Sequence, residues 1–387
     1  MKKILIVNNN MKVGGVQKSL YNLLWAIKDE YDITLCLFEC SGEYLGKLPG
    51  SVKVVGSGGL FRYLGISQGE CKTLREKLTR GFLAAWCKTF GRSGVMKLIA
   101  SGTKKLAEDF DCAIAFLHNG SQKSFYGGVQ EFVLNRVSAK RKVAFLHCDY
   151  RNCGANNKRD NALISRFDRI AACSDGCRKA FESVLPGLAE KTLTVRNCHR
   201  YDEIRHLAAI DPVEYDKSRV NVIMVSRLAH EKGIERALQA LKYAISKGAD
   251  VTLNIVGGGP MMDALVHEAE ELGISESVKF HGEQSNPYRF IVNADLFMMT
   301  SFHEAAPLVI DEAVCLGVPV LSVETSSSED MILKRSCGVV CNNTIEALSR
   351  TLYSMICDKE SLKSIKAGLC VGENNNYHQT AQFESLM

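Results

Sequence analysis

Ser301-Phe-His-Glu-Ala-Ala-Pro-Leu-Val-Ile-Asp-Glu312 decides how the chain reads. The apolar run before it, Leu296 to Met299, has the composition of a buried strand in a parallel sheet. Pro307 suits the first turn of a helix, where its missing N–H would be unpaired anyway. The apolar run Leu308 to Leu316 then stops at Gly317-Val-Pro319, a helix-end signal leading into another strand, Val318 to Val323. Glu304 therefore falls in the strand-to-helix turn, and Glu312 about one and a half turns into the helix. An open parallel sheet binds ligands at such turns, and a helix N-terminus offers unpaired N–H groups to an anion. Two carboxylates beside a phosphate site make sense when the ligand also carries hydroxyls, as a nucleotide sugar does.

The same pattern extends in both directions. Strands are expected at Val220 to Val225, Val251 to Val256, Val278 to Phe280 and Val339 to Cys341, with a last large helix over Thr344 to Ile356. Upstream, the apolar runs are Lys3 to Val7, Ile33 to Phe38, Val52 to Val55, Cys112 to Leu117, Lys142 to Leu146, Ile170 to Cys173 and Leu193 to Val195. Strands alternating with helices predict α/β architecture with two doubly wound, Rossmann-like parallel sheets. At 387 residues the chain has room for two domains. The expected organisation is a first domain over 1–199, a connector over 200–218 and a second domain over 219–361. The tail, 362–387, is a candidate to return to the first domain. Two such domains would face each other across a cleft.

Composition narrows the function classes. No stretch approaches ~20 consecutive apolar residues, so no transmembrane helix is expected. The start, Met1-Lys-Lys-Ile-Leu-Ile-Val-Asn8, reads as a first strand rather than an export signal. Fifteen cysteines then suggest a reducing, cytoplasmic compartment, and none of their spacings predicts a metal site. The net charge of +5 is concentrated in residues 62–105, where ten Lys and Arg face only Glu70 and Glu76. Phe82, Leu83, Trp86 and Phe90 are interleaved there at helical spacing. Two readings stand: an amphipathic helix lying on an anionic membrane surface, such as the inner face of a cell membrane, or a helical hairpin packed on its own domain. Nucleic acid is not an expected partner, because no recognised module accompanies the charge.

Chemistry-bearing residues cluster at expected strand ends. Ser226-Arg227-Leu-Ala-His-Glu-Lys232-Gly233 follows the first strand of the second domain. Its forked guanidinium and point charge suit one pyrophosphate. Gly257-Gly258-Gly259-Pro260 is a turn able to approach a phosphate or base, and the backbone at Phe280-His281-Gly282 is placed to meet a planar base. In the first domain, Gly14-Gly15 follows the first strand, and His147 stands just past the carboxyl end of another. Gly14-Gly15-Val16-Gln17 is not G-x-G-x-x-G, so a dinucleotide cofactor is poorly supported.

In this order, these elements together with Ser-x-x-Glu-x₇-Glu and Gly-x-Pro-Val resemble the retaining GT-B glycosyltransferases of family 4, also called group 1. The resemblance covers the whole second domain and is looser in the first. It implies that Arg227 and Lys232 bind the donor diphosphate and Glu304 the transferred sugar. The N–H groups of Ala306 and Leu308, flanking Pro307, would face a phosphate, and Glu312 would take the ribose. Ser226, Gly258 and His281 complete the implied donor side, His147 would contact the sugar, and Gly14-Gly15 would shape the floor beneath the reacting bond. The implied reaction is metal-independent, cofactor-free hexosyl transfer from a nucleotide sugar, with a UDP-sugar favoured, to a glycan or lipid-linked oligosaccharide. The sequence departs from the family at Ala305-Ala306, where Gly-Phe is frequent. A nucleotide-sugar epimerase of the same plan and a non-catalytic sugar-nucleotide-binding protein are the alternatives.

Overall fold

The computed structural model describes residues 1–369, 371–372 and 374–387. The chain divides into two compact units: Met1–Cys198 with Asn376–Met387, and His199–Asn375. Among the described residues, thirteen strands fall where the apolar runs predict them, with no end displaced by more than four residues. The first unit holds β1 Lys2–Asn8, β2 Tyr31–Leu37, β3 Lys53–Gly56, β4 Asp109–Ala115, β5 Ser138–Leu146, β6 Arg169–Ala172 and β7 Thr192–Thr194. The second holds β8 Val220–Val225, β9 Val251–Val256, β10 Val278–Phe280, β11 Leu296–Met299, β12 Val320–Val323 and β13 Gly338–Cys341.

In the first unit the strand order is β3-β2-β1-β4-β5-β6-β7, with every pairing parallel. Ile4 to Val7 are fully buried on both faces of β1, which a strand tolerates only where helices cover both sides. Leu5, Val7 and Ala115 meet Leu83, Val129 and Phe132 on one face. Ile4, Ile6 and Ile114 meet Leu20, Leu24 and Phe383 on the other. Phe383 belongs to the helix Tyr377–Glu384 near the chain's end, and it also packs edge-on against Tyr31.

The second unit has the order β10-β9-β8-β11-β12-β13, again all parallel. Chain order reverses at β8 and β11, which are hydrogen-bonded neighbours, so the crevice beyond their carboxyl ends is the ligand position of this topology.

Two expectations need correction. Residues 200–218 are not a bare connector. They contain the helix Tyr201–Ala208, whose Tyr201, Ile204 and Ala208 are buried against the second unit's core. Its amphipathic run is only two turns long, too short to stand out beside Asp211-Pro212. The tail is split, because residues through Asn375 lie with the second unit and Asn376–Met387 with the first; within it, positions 370 and 373 lie outside the described residues. Within the basic stretch 62–105, two of the charges are paired. Arg92 is only 1% exposed and pairs with Asp160 and Glu131, while Arg62 is spent on Glu39 and Glu76. Every described cysteine is free. Among the described residues no helix is long and apolar enough to cross a membrane.

Candidate functional site

Two loops meet at the switch point of the second sheet. The first leaves β8, passes through Ser226 to Gly233 and enters the helix Ile234–Ser246. The second leaves β11 and runs through Glu304 to Pro307, which immediately precedes the helix Leu308–Cys315. Thr300, at the end of β11, ties them together: its hydroxyl donates to the carbonyls of Lys232 and Gly233, both at 2.9 Å. The Phe302 N–H donates to the Glu231 carbonyl at 3.0 Å. Gly233 has φ +59°, and a Cβ there would stand 2.6 Å from the Thr300 carbonyl oxygen. Only glycine fits this left-handed position at so close an approach.

This framework brings Lys232 and Glu304 into contact, with Nζ 2.7 Å from Oε1. Arg227 is turned elsewhere. Its guanidinium pairs with Glu231, four residues along the same loop, and its side chain is 68% exposed. The Glu231 carboxyl is held below its ordinary range by a backbone N–H, with Arg227 and Lys232 adding to the effect. Beneath the loop lies Arg236, a residue that sequence reasoning passed over. It is buried, donates to the Thr300 carbonyl at 3.2 Å and stacks over the Phe302 ring at 4.8 Å; burial lowers its pKa. Glu312 is also buried and accepts from the Tyr288 hydroxyl at 3.1 Å, a partner no sequence signal announced.

The remaining strand-end residues also make contacts within the chain. Gly257 and Gly259 come close to the chain's own backbone. With φ of +144° and +158°, a Cβ would lie 1.9 Å from the Ser226 carbonyl oxygen and 2.3 Å from that of Leu228. Gly258 is free of that constraint but close to Glu283. The His281 backbone is engaged internally, its N–H with Ile255 and its carbonyl with Gln284. Its ring bonds Asn254 at 3.0 Å, and burial lowers its pKa. The Ser226 hydroxyl is buried without a partner.

Asp311 anchors the helix that carries Glu312. Burial would raise its pKa, but His199 at 3.3 Å and Arg335 at 2.6 Å outweigh that and hold it well below the usual carboxylate range.

In the first unit, His147 follows β5 and packs against Phe116 and Phe145. Burial, with His118 nearby, depresses it to about 3, and its Nε2 has no partner. Gly14 would place a Cβ 2.6 Å from the Gln17 side chain, whereas a Cβ at Gly15 would meet nothing within 4 Å. No internal contact requires glycine at position 15.

Residues 210–368 match the family described as Glycosyl transferases group 1. That stretch is similar to a group 1 glycosyltransferase domain, and the two parallel sheets have the fold of the GT-B glycosyltransferases. An uncharacterized glycosyltransferase of Methanocaldococcus jannaschii is 27% identical over 161 residues, 40% of this chain and 39% of the relative. A GDP-mannose-dependent α-(1-6)-phosphatidylinositol monomannoside mannosyltransferase of Mycolicibacterium smegmatis is 28% identical over 149 residues, 35% of this chain and 38% of its own. The matches thus span about two fifths of these relatives' length. The Anabaena protein HepE, solved in complex with UDP, superposes with a TM-score of 0.64 at 18% identity, over 99% of this chain and 95% of HepE.

Proposed function

We propose that this protein transfers a hexose or N-acetylhexosamine from a nucleoside-diphosphate sugar to a hydroxyl of a glycan or lipid-linked acceptor, with retained anomeric configuration, in cell-surface polysaccharide synthesis. The observation that carries this reading is the Lys232–Glu304 contact at the β8/β11 switch point. A cation beside a carboxylate, at a helix N-terminus, suits a ligand presenting a phosphate and a hydroxylated ring side by side. The names of the relatives support the class, and HepE has also been solved with UDP-glucose. A UDP-sugar is the first donor to try, with a GDP-sugar next because of the Mycolicibacterium relative's name.

In this mechanism the bond between the anomeric carbon and the diphosphate oxygen breaks while the acceptor oxygen bonds on the same face. The acceptor proton passes to the departing phosphate oxygen. Lys232, Arg227 and the N-terminus of the helix Leu308–Cys315 stabilise the charge growing on the leaving group, work that fixed positive groups do without a metal. Arg227 exchanges Glu231 for phosphate when the donor enters. Glu304 accepts from sugar hydroxyls and Glu312 from the ribose. Ser226, Gly258, His281, Ala306, Pro307 and Leu308 border the donor, and His147 with Gly14 and Gly15 serves the reacting sugar.

The test incubates the protein with UDP-, GDP- and CDP-sugars and glycan or lipid-linked acceptors, with and without EDTA. Mass spectrometry and NMR at the anomeric carbon read the product. A transferred sugar of unchanged configuration, insensitive to EDTA, is expected. A sugar altered in the absence of acceptor would replace this reading with an epimerase, and no turnover with any donor would defeat it.

A further inference from the structure

The helix Leu74–Phe90 carries apolar residues on the side that faces away from its own core. Leu83 and Cys87 are buried and define its inner face. Leu74, Leu78 and Phe82 recur every fourth residue on the opposite side and are 73%, 65% and 60% exposed. Phe90 closes the helix at 78% exposure, and Phe82 meets Trp86 edge-on at 5.5 Å. Isolated exposed leucines need no explanation, but a row along one helix does.

The charges beside this row are of one sign. On the helical wheel Lys77 and Lys88 flank it on one side and Arg75 on the other. With Lys72 they are exposed, and none has a carboxylate partner among the described residues. Both acids of the segment are already committed, Glu70 to Lys12 and Glu76 to Arg62 and the helix's first turn. An apolar ridge bordered by unpaired cations complements a surface that is negative outside and hydrocarbon beneath. A neutral protein groove would leave the cations unanswered, and a second copy would bring the same positive charges face to face.

We infer that the outer face of the helix Leu74–Phe90 docks this protein on an anionic lipid bilayer, with Leu74, Leu78 and Phe82 entering the interface and Arg75, Lys77 and Lys88 meeting headgroups. The inference is independent of the nucleotide-sugar reading, since its test uses no donor.

The full chain is sedimented with phosphatidylcholine vesicles containing or lacking ~30% phosphatidylglycerol, at about 0.05 M and about 0.5 M salt. Wild type is expected to pellet with the anionic vesicles at low salt and to be released at high salt. Lys77→Gln/Lys88→Gln should weaken partitioning ~10- to 30-fold, and Leu78→Glu/Phe82→Glu should abolish it. Thermal transitions confirm that these exposed substitutions leave the fold intact. Wild type that stays in the supernatant at low salt overturns the inference. So does equal binding to neutral vesicles, or a concentration-dependent dimer lost in Leu78→Glu/Phe82→Glu without any lipid effect.

Discussion

Lys232 and Glu304 are 72 residues apart in sequence, and their charged atoms are 2.7 Å apart at the carboxyl ends of two neighbouring strands. Neither side chain is fully withdrawn from solvent, so the pair can open to a ligand at modest cost. On the proposed mechanism each partner is exchanged for part of the donor. Glu304→Gln keeps the shape and loses the charge, and should lower kcat/KM for transfer ~10- to 100-fold, the worth of a charged hydrogen bond. Steady-state kinetics of the double variant Lys232→Met/Glu304→Gln should show a loss smaller than the sum of the single losses.

Two glycines separate structural from functional demand. Gly233→Ala must place a Cβ against the Thr300 carbonyl at a positive φ, and should cost about 1–3 kcal/mol in urea unfolding. Gly15→Ala meets nothing within 4 Å and lies at the start of a helix, so stability should hold or rise slightly. If position 15 serves the reacting sugar, that same variant should nonetheless lose turnover.

The buried histidines set an acid limit. His118 is depressed to about 4 and His147 to about 3 from an ordinary 6.5, in both cases first by burial. Between those values the unfolded chain binds protons that the folded chain does not. The histidine contribution to stability is therefore complete above about pH 6.5 and drains away as pH falls toward 4 and then 3. Urea midpoints measured from pH 7 to pH 4 should fall for wild type and fall less for His118→Phe. The His147 imidazole stays neutral across the neutral range, so its titration cannot produce an acid limb of activity near pH 6.5.

Arg92 joins the helix Arg92–Ser101 to Asp160 and Glu131, with Asn119 bonded to both carboxylates at 3.2 and 3.1 Å. Arg92→Met would strand two buried carboxylates and should cost about 3–5 kcal/mol in chemical denaturation. Arg92→Met/Asp160→Asn should recover part of that loss.

Much of this was legible because parallel strands covered on both faces must be continuously apolar; Lys3 to Val7 and Leu296 to Met299 announce themselves. Charge at strand ends was equally readable, since Lys232 and Glu304 have no packing reason to be there. What escaped were pairings set by tertiary geometry. Local periodicity marks the helix Leu74–Phe90 as amphipathic but cannot say whether its apolar row turns inward. Nothing near Glu312 predicts Tyr288, which reaches it from another helix. Gly257 and Gly259 come close to the chain's own backbone, which leaves the same signature in sequence as a close approach to a phosphate. Arg92 looked like surface charge because its partners lie 39 and 68 residues away.

The most direct test of the central claim is calorimetric titration of UDP, GDP and CDP into wild type and Lys232→Met. The account predicts that one nucleoside diphosphate binds wild type one to one, and that the variant, folded by its thermal transition, binds it at least ~10-fold more weakly. Equal affinity in the two proteins, or no binding of any nucleoside diphosphate to wild type, would contradict it.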